Sequence, residues 1–502
     1  MITRHFATIG QRQVHYRRVG AGPPVLILHQ SPKNSAEQAP LMRRIAEAGC
    51  TAIAPDTPGF GQSDPLPHLA DSAIDSFATG VADFMDAIGV ARAPVYGFHT
   101  GASIATRLAA LRPERVSLLI ANGVLVLDEA DRADFLARYL PPFEIRWDGS
   151  HLVWAWQRMR DQSIFFPWHR RTGASRMVRA PSAPEIIHDN VMDLFAAGPA
   201  YAQGYRAALA FDGRPDMARL ETPALYLAIE TDPLTAGLTA WPTLPSHAQV
   251  VRTRTIEESW DVAARALAQA SGGHIGAASG ARGRDGDWTN DVVIADGCNV
   301  HVRLSSSGQG RPIALIHDVG GSGGEWLAHA HALRGRRPIA IIDLPGHGRS
   351  DAGADAVAAV AGALAALGMT DADVFALGWS GGLSAAPRWR AVEPPSAATR
   401  AADPAAFVPD LATDPDGAHL LRAWRFVRDR RLFDPWHRPD ANGILPGDPD
   451  LACEDLHRAA VDALTARGSM RALIDAAAPG LEARADAALT RGAAIRQAVT
   501  TE

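Results

Sequence analysis

Residues 95–105 read VYGFHTGASIA. An apolar strand-like run is followed by Gly97-x-His99-x-Gly101 and then by a helix-forming stretch. Glycines two residues either side of one position allow the chain to turn sharply from strand to helix without a side-chain clash. The residue at such a tip is ordinarily Ser, Cys or Asp. Here it is His99. An imidazole with an ordinary pKa of about 6.5 is mostly neutral at neutral pH, so it can act without an activating partner. Three readings of His99 stand side by side. It is a nucleophile or general base, it binds or polarises a substrate, or it fills the turn without chemistry, since His tolerates positive φ better than most residues.

A second stretch, ALGWSGG, carries Ser380 in the same frame, and the two belong to a longer internal repeat. LILHQSPKNS returns as ALIHDVGGSG, DTPGFGQSD as DLPGHGRSD, and HLVWAWQRMRDQSIFFPWHR as HLLRAWRFVRDRRLFDPWHR. These pair His29 with His317, Asp56 with Asp343, His99 with Ser380 and His151 with His419. The separation falls from 288 residues at His29 to 268 at His151, so the second copy is the shorter. Between them, residues 271–288 are rich in Gly, Ala and Ser and read as a flexible linker.

The elements that must position these residues alternate strand and helix. Residues 2–19 read as an opening hairpin. PVLILH, TAIAPD, APVYGF, VSLLIANGV, PALYLAIE and AQVVRTRT read as short strands, most of them of the buried type. This order predicts a doubly wound, mostly parallel sheet in an α/β fold.

Three features in this order carry a resemblance: a strand ending in His29, the D-x-P-G-x-G-x-S-D run from Asp56, and the small-residue tip 43 residues after Asp56. All three recur in the second copy. The chain resembles the α/β-hydrolase fold, twice, with a complete domain at 1–270 and a shortened one at 289–502. Its G-x-H-T-G tip beside an H-Q-S-P loop is similar to a group of bacterial members. The resemblance implies a helical cap at about 125–215 and an acid after the seventh strand, where LAIETDPLT places Asp232. It implies oxyanion-hole amides at Thr100 and at Gln30 or Ser31, and in the second copy at Gly381 with Asp318 or Val319. Cap residues shared by both copies, Trp156, Arg160, Asp161, Phe165, Trp168 and His169, are the candidate substrate wall. The aromatics read more readily as cap packing, and Arg160 and Asp161 are either an internal ion pair or, for Arg160, a group to hold a carboxylate. His29 is expected to support the oxyanion loop.

Both copies depart from the family pattern. After AQVVRTRT the first has Ile256, Glu257 and Glu258 where the family places its late His, and no His until His274. His151, His169 and His188 read as cap or surface residues, with a substitute base as the less favoured alternative. The second copy keeps Ser380 but stops 31 residues after Arg471, before strands 7 and 8 and the acid and base they would carry. Pro387 interrupts the helix after its tip, PSAATRAAD replaces a buried strand, and its sheet is expected to end in an open edge that pairs with another unit.

Composition narrows the function classes. The chain has 502 residues, 47% of them hydrophobic, a net charge of −6 and Lys33 as its only lysine. That balance argues against nucleic acid or an anionic membrane as partner. Cys50, Cys298 and Cys453 make neither a metal spacing nor a disulfide framework, and no signal peptide is read at the start, so a cytoplasmic protein is expected. The combined expectation is a hydrolase of a small ester, lactone or C–C bond that uses His99, Asp232 and, in the second copy, Ser380, with neither metal nor organic cofactor and with a small-molecule substrate. Homo-oligomerisation through the second unit is expected. A degenerate ligand-binding protein, and a lyase or isomerase using His99 as acid–base, remain open.

Overall fold

The computed structural model describes residues 1–67, 73–276, 288–401, 404–482 and 488–500. Two compact units emerge. One comprises Met1–Glu144 and Ala155–Ala281, the other Ile145–Trp154 and Arg282–Glu502. Residues 277–287 of the anticipated linker lie outside the described residues.

The first unit is built on eight strands: β1 (Thr3–Ile9), β2 (Arg12–Val19), β3 (Pro24–Leu28), β4 (Thr51–Pro55), β5 (Ala93–Phe98), β6 (Val116–Asn122), β7 (Ala224–Ile229) and β8 (Ala248–Thr253). Their order in the sheet is β1-β2-β4-β3-β5-β6-β7-β8. The β1–β2 hairpin is antiparallel, β2 runs antiparallel to β4, and every pairing from β4 to β8 is parallel. Helices cover both faces, and the strand residues alternate between them. Val25 and Ile27 pack with Leu41 of helix Ala39–Glu47 and Leu267 of helix Ile256–Ala270. Leu26 and Leu28 pack with Phe77 of helix Ile74–Ala87 and Leu108 of helix Thr100–Leu111. That is why β3 and β4 are buried throughout and, apart from Thr51, apolar: neither side chain direction reaches water. Between β6 and β7 the chain forms helices Glu129–Arg138, Ser150–Gln162, Pro184–Ala197 and Tyr201–Ala210, in the region anticipated as the cap.

The second unit has six strands: β9 (Thr289–Ala295), β10 (Cys298–Ser305), β11 (Ile313–Ile316), β12 (Ile339–Ile342), β13 (Asp373–Leu377) and β14 (Trp389–Val392). Their order, β9-β10-β12-β11-β13-β14, repeats that of β1 to β6. Two expectations are corrected here. The sixth strand is not lost: the buried residues Trp389, Ala391 and Val392 form it just upstream of PSAATRAAD, which instead holds helix Ala397–Ala401. Its outer edge is not fully open either. Leu489 donates to the carbonyl of Ala391 (3.1 Å) and accepts from the amide of Glu393 (2.9 Å), so the chain's own later residues satisfy part of that edge.

The D-x-P-G-x-G-x-S-D runs are fasteners. Asp56 accepts from the amides of Ser35 (2.8 Å) and Gln62 (2.9 Å) and pairs with His15 Nδ1 (2.8 Å). Asp343 does the same with Gly323 (2.7 Å), Arg349 (2.9 Å) and His301 Nδ1 (2.8 Å). A Cβ on Gly61 would stand 2.2 Å from an Asp56 carboxylate oxygen, and Gly348 is equally confined by Asp343. Burial outweighs the carboxylates and lowers both histidines to about 4, so they serve as neutral hydrogen-bonding groups.

Candidate active site

β5 ends at Phe98 and helix Thr100–Leu111 begins at once, leaving His99 alone in the turn at φ 48° and ψ −108°. The flanking glycines are required by contact. A Cβ on Gly97 would lie 2.2 Å from the carbonyl oxygen of Gly101, and one on Gly101 would lie 2.5 Å from that of Leu28. His99 stacks on Phe98 with ring centroids 4.1 Å apart. Its Nε2 lies 2.6 Å from Asp232 Oδ2.

Asp232 follows β7. Its Oδ1 caps the next turn by accepting from the amide of Leu234 (2.9 Å), which aims Oδ2 at the imidazole. Gly123, just past β6, provides the space between them: a Cβ there would stand 2.3 Å from His99 Cδ2 and 3.1 Å from Asp232 Oδ2. Burial opposes charge on His99, but the Asp232 carboxylate and its hydrogen bond, with Glu37 farther off, outweigh it and raise the His99 pKa above its ordinary value. Asp232 moves the opposite way: burial would raise it, and the imidazole, the Leu234 amide and Arg179 together lower it.

The pair forms part of the wall of a cavity of about 540 Å³. Gln30, Ser31 and Thr100 line it with His99 and Asp232, so the residues anticipated for the base of the site are brought together. Thr100 opens the helix, where first-turn N–H groups have no intrahelical acceptor. Gln30 departs from expectation, because its amide points at Glu37 Oε2 (3.3 Å) and its side chain donates to the same carboxylate. That leaves Ser31, whose hydroxyl is buried with no hydrogen-bond partner among the described residues. His29 sits behind the loop, with Nδ1 on the carbonyl of Gln30 (2.8 Å) and Nε2 accepting from the amide of Thr57 (2.8 Å).

The cap residues read from the repeat are not those that face the cavity. Trp156, Arg160, Asp161, Phe165, Trp168 and His169 are all absent from its wall. Helix Ser150–Gln162 buries Leu152, Ala155, Trp156 and Met159 on one side, which turns Arg160 outward to solvent. Asp161 pairs with Arg171 (2.6 Å), not with Arg160. His169 is held by Asp134 (2.8 Å), and Trp168 donates to the carbonyl of Tyr139 (3.2 Å). Agreement between the copies therefore did not mark the wall of this cavity: Trp156 and Trp168 are packed within the cap, while Arg160 faces solvent. The wall is formed by Phe135, Tyr139, Met159, Gln162, Phe166, Arg179, Asn190 and Tyr205 on the cap side and by Arg254 and Glu257 after β8. The helical stripe through Met159 was legible in the sequence, but the loop positions of Arg179 and Arg254 carried no local signal. None of the cap histidines His151, His169 and His188 lines the cavity.

Ser380 and Gly381 do not form a second site. The positive φ falls on Gly378 (54°), two residues before the serine, and Gly378–Gly382 curls into a single 3₁₀ turn. Asp318 holds that turn through the amide of Trp379 (2.8 Å). Gly382 packs against helix Met470–Glu482, where a Cβ would meet the carbonyl oxygen of Ala477 at 2.1 Å. Ser380 is fully buried, with its hydroxyl unpartnered among the described residues.

Residues 23–255 match the family model of the α/β hydrolase fold. The chain is 30% identical over 116 residues to a haloalkane dehalogenase of Mycolicibacterium paratuberculosis, covering 22% of this chain and 38% of that protein. It is 32% identical over 123 residues to an epoxide hydrolase of Caballeronia sordidicola, covering 24% and 37%. It is 30% identical over 129 residues to a 2-hydroxy-6-oxo-6-phenylhexa-2,4-dienoate hydrolase of Comamonas testosteroni, covering 24% and 45%. The chain thus spans less than half the length of these curated relatives. Among solved structures, a potato epoxide hydrolase is similar at 18% identity with a TM-score of 0.43, covering 54% of this chain and 97% of that one.

Proposed function

We propose that the first unit is an α/β-hydrolase-fold enzyme that hydrolyses a small organic substrate, with His99 as general base and Asp232 as its orienting partner. One observation carries this: a strand-to-helix tip presents an imidazole bonded at 2.6 Å to a carboxylate, in the wall of a 540 Å³ cavity. The curated relatives are named as hydrolases or a dehalogenase of small molecules, which supports the same class.

With Nε2–H donated to Asp232, the lone pair of the ring lies on Nδ1. It takes a proton from water, and the hydroxide oxygen adds to the carbonyl carbon of an ester or lactone. The oxyanion accepts from the Thr100 amide at the helix start, with Ser31 beside it. Collapse of the tetrahedral intermediate expels the alkoxide, which recovers the proton from the imidazolium. No separate late histidine is required, because nucleophilic serine and base are replaced by water and His99. The acid–base lyase reading draws on the same dyad and on the fact that no other histidine lines the cavity.

We also infer that the two units arose by duplication, from the repeated strand order and the twin His–Asp fasteners. In this reading the second unit is a scaffold with a closed tip. Hydrolysis of a p-nitrophenyl ester panel by wild type, His99→Ala and Ser380→Ala tests the assignment. Loss in His99→Ala alone supports it. Equal inertness of wild type and His99→Ala refutes the hydrolase.

A further inference from the structure

Arg158 is a buried cation without a counterion. It is 2% exposed, and among the described residues no carboxylate pairs with it. Among the described residues its Nε and Nη2 have no hydrogen-bond partner, while Nη1 donates to Gln162 Oε1 (2.9 Å) and reaches Met159 Sδ (3.5 Å). The hydroxyls of Tyr201 and Tyr205 stand beside the guanidinium as neutral acceptors, and none of these groups supplies a counter-charge. The guanidinium lies 5.2 Å from the ring centroid of Trp168, 5.6 Å from that of Tyr201 and 5.9 Å from that of Tyr139. Aromatic faces compensate a cation in part but accept no in-plane N–H bonds. A buried charge is normally paired or neutralised, so this arrangement is incomplete as it stands.

The incompleteness is next to the cavity. Tyr139, Met159, Gln162 and Tyr205 form its cap-side wall, and Arg158 stands directly behind them. An arginine only donates, so Gln162 must turn its oxygen toward Arg158, which leaves one NH₂ hydrogen for the Tyr205 hydroxyl and the other for a further acceptor. The cavity's own carboxylates do not supply the missing charge: Asp232 is engaged by His99, and Glu257 makes no pair with Arg158.

We infer that the cap-side wall at Gln162 and Tyr205 is a subsite for an anionic group, a carboxylate carried by the substrate, whose charge Arg158 offsets from behind. The scissile bond then lies toward His99. This rests on the cavity being the substrate site, but not on the hydrolytic role of His99, and the test uses a probe with no scissile bond.

Calorimetric titration of the full chain with phenylacetate and with the isosteric, uncharged phenylacetamide reads the subsite directly. Wild type should bind the carboxylate about tenfold more tightly, the worth of one charge-assisted interaction. Arg158→Met should bring the two affinities together while leaving phenylacetamide unchanged. Gln162→Glu, which builds the counter-charge into the wall, should also abolish the preference and raise Tm. It gives the same reading should Arg158→Met not fold. No preference in wild type, no heat with phenylacetate, or a preference that survives in folded Arg158→Met overturns the inference and assigns any anion binding to Arg179 and Arg254. An inert protein in the ester assay that still prefers phenylacetate keeps the subsite and rejects the hydrolase.

Discussion

Gly123 holds open the space that the His99 imidazole occupies: a Cβ on it would stand 2.3 Å from His99 Cδ2. Gly123→Ala should therefore displace the ring from Asp232. A shift of about 1 Å at a catalytic group is enough to lower kcat by about 10²-fold. Gly10→Ala is the control. It also has positive φ, but nothing lies within 4 Å of its Cβ, so it should show only the backbone strain of about 1 kcal/mol in a thermal melt, with kcat unchanged. Equal rates for the two variants would remove Gly123 from the site.

His99→Gln keeps a polar side chain of related size but no basic nitrogen. General-base catalysis contributes roughly 10²–10⁴-fold, and kcat/KM should fall by that order. The variant should still bind substrate analogues. A loss confined to KM would make His99 a binding residue and favour the ligand-binding reading.

The pH profile follows from the direction of the His99 shift. The working form is the neutral ring, and its pKa is raised, so activity should fall on acidification through a point above the ordinary 6.5. Asp232→Asn removes both raising influences that come from the carboxylate and leaves burial, the largest influence, which lowers the pKa, against only the smaller raising effect of Glu37. The acid limb of kcat/KM should then move to lower pH while the plateau drops. A limb that stays in place, or moves up, would separate Asp232 from the titration of His99.

Ser380→Ala should leave activity unchanged. Its hydroxyl is buried without a partner, so its removal should leave Tm level or slightly higher, where loss of a bonded hydroxyl would lower stability by about 1 kcal/mol. A loss of ester hydrolysis in this variant would transfer the chemistry to the second unit.

The features legible in the sequence were those with short-range rules. Buried strands announced themselves by unbroken apolar runs, and the tip of the turn by Gly97 and Gly101, because backbone clash at 2.2–2.5 Å forbids anything larger. Asp232 was nominated by the family resemblance, which implies an acid after the seventh strand; the sheet order accounts for it physically, with β7 two strands from β5. The sixth strand of the second unit was misplaced because β14 has only four residues, too few for periodicity to show.

The cavity wall on the cap side is where the chain was least legible, and the reason is physical. Trp168 and His169, shared by the two copies, bond within the cap, to the carbonyl of Tyr139 and to Asp134. The cavity wall is instead assembled from single residues on separate segments, such as Tyr139, Gln162, Arg179 and Arg254, whose proximity depends on how those segments cross. Sequence alone determined that a histidine stands at a glycine-framed tip, since local sterics decide it, and the family resemblance nominated Asp232 as the acid without placing it against the ring. Only the tertiary structure decided that Nε2 meets Asp232, that Ser380 is sealed under a helix and that Arg158 is buried with no carboxylate partner among the described residues, because each depends on how segments far apart in the chain come together.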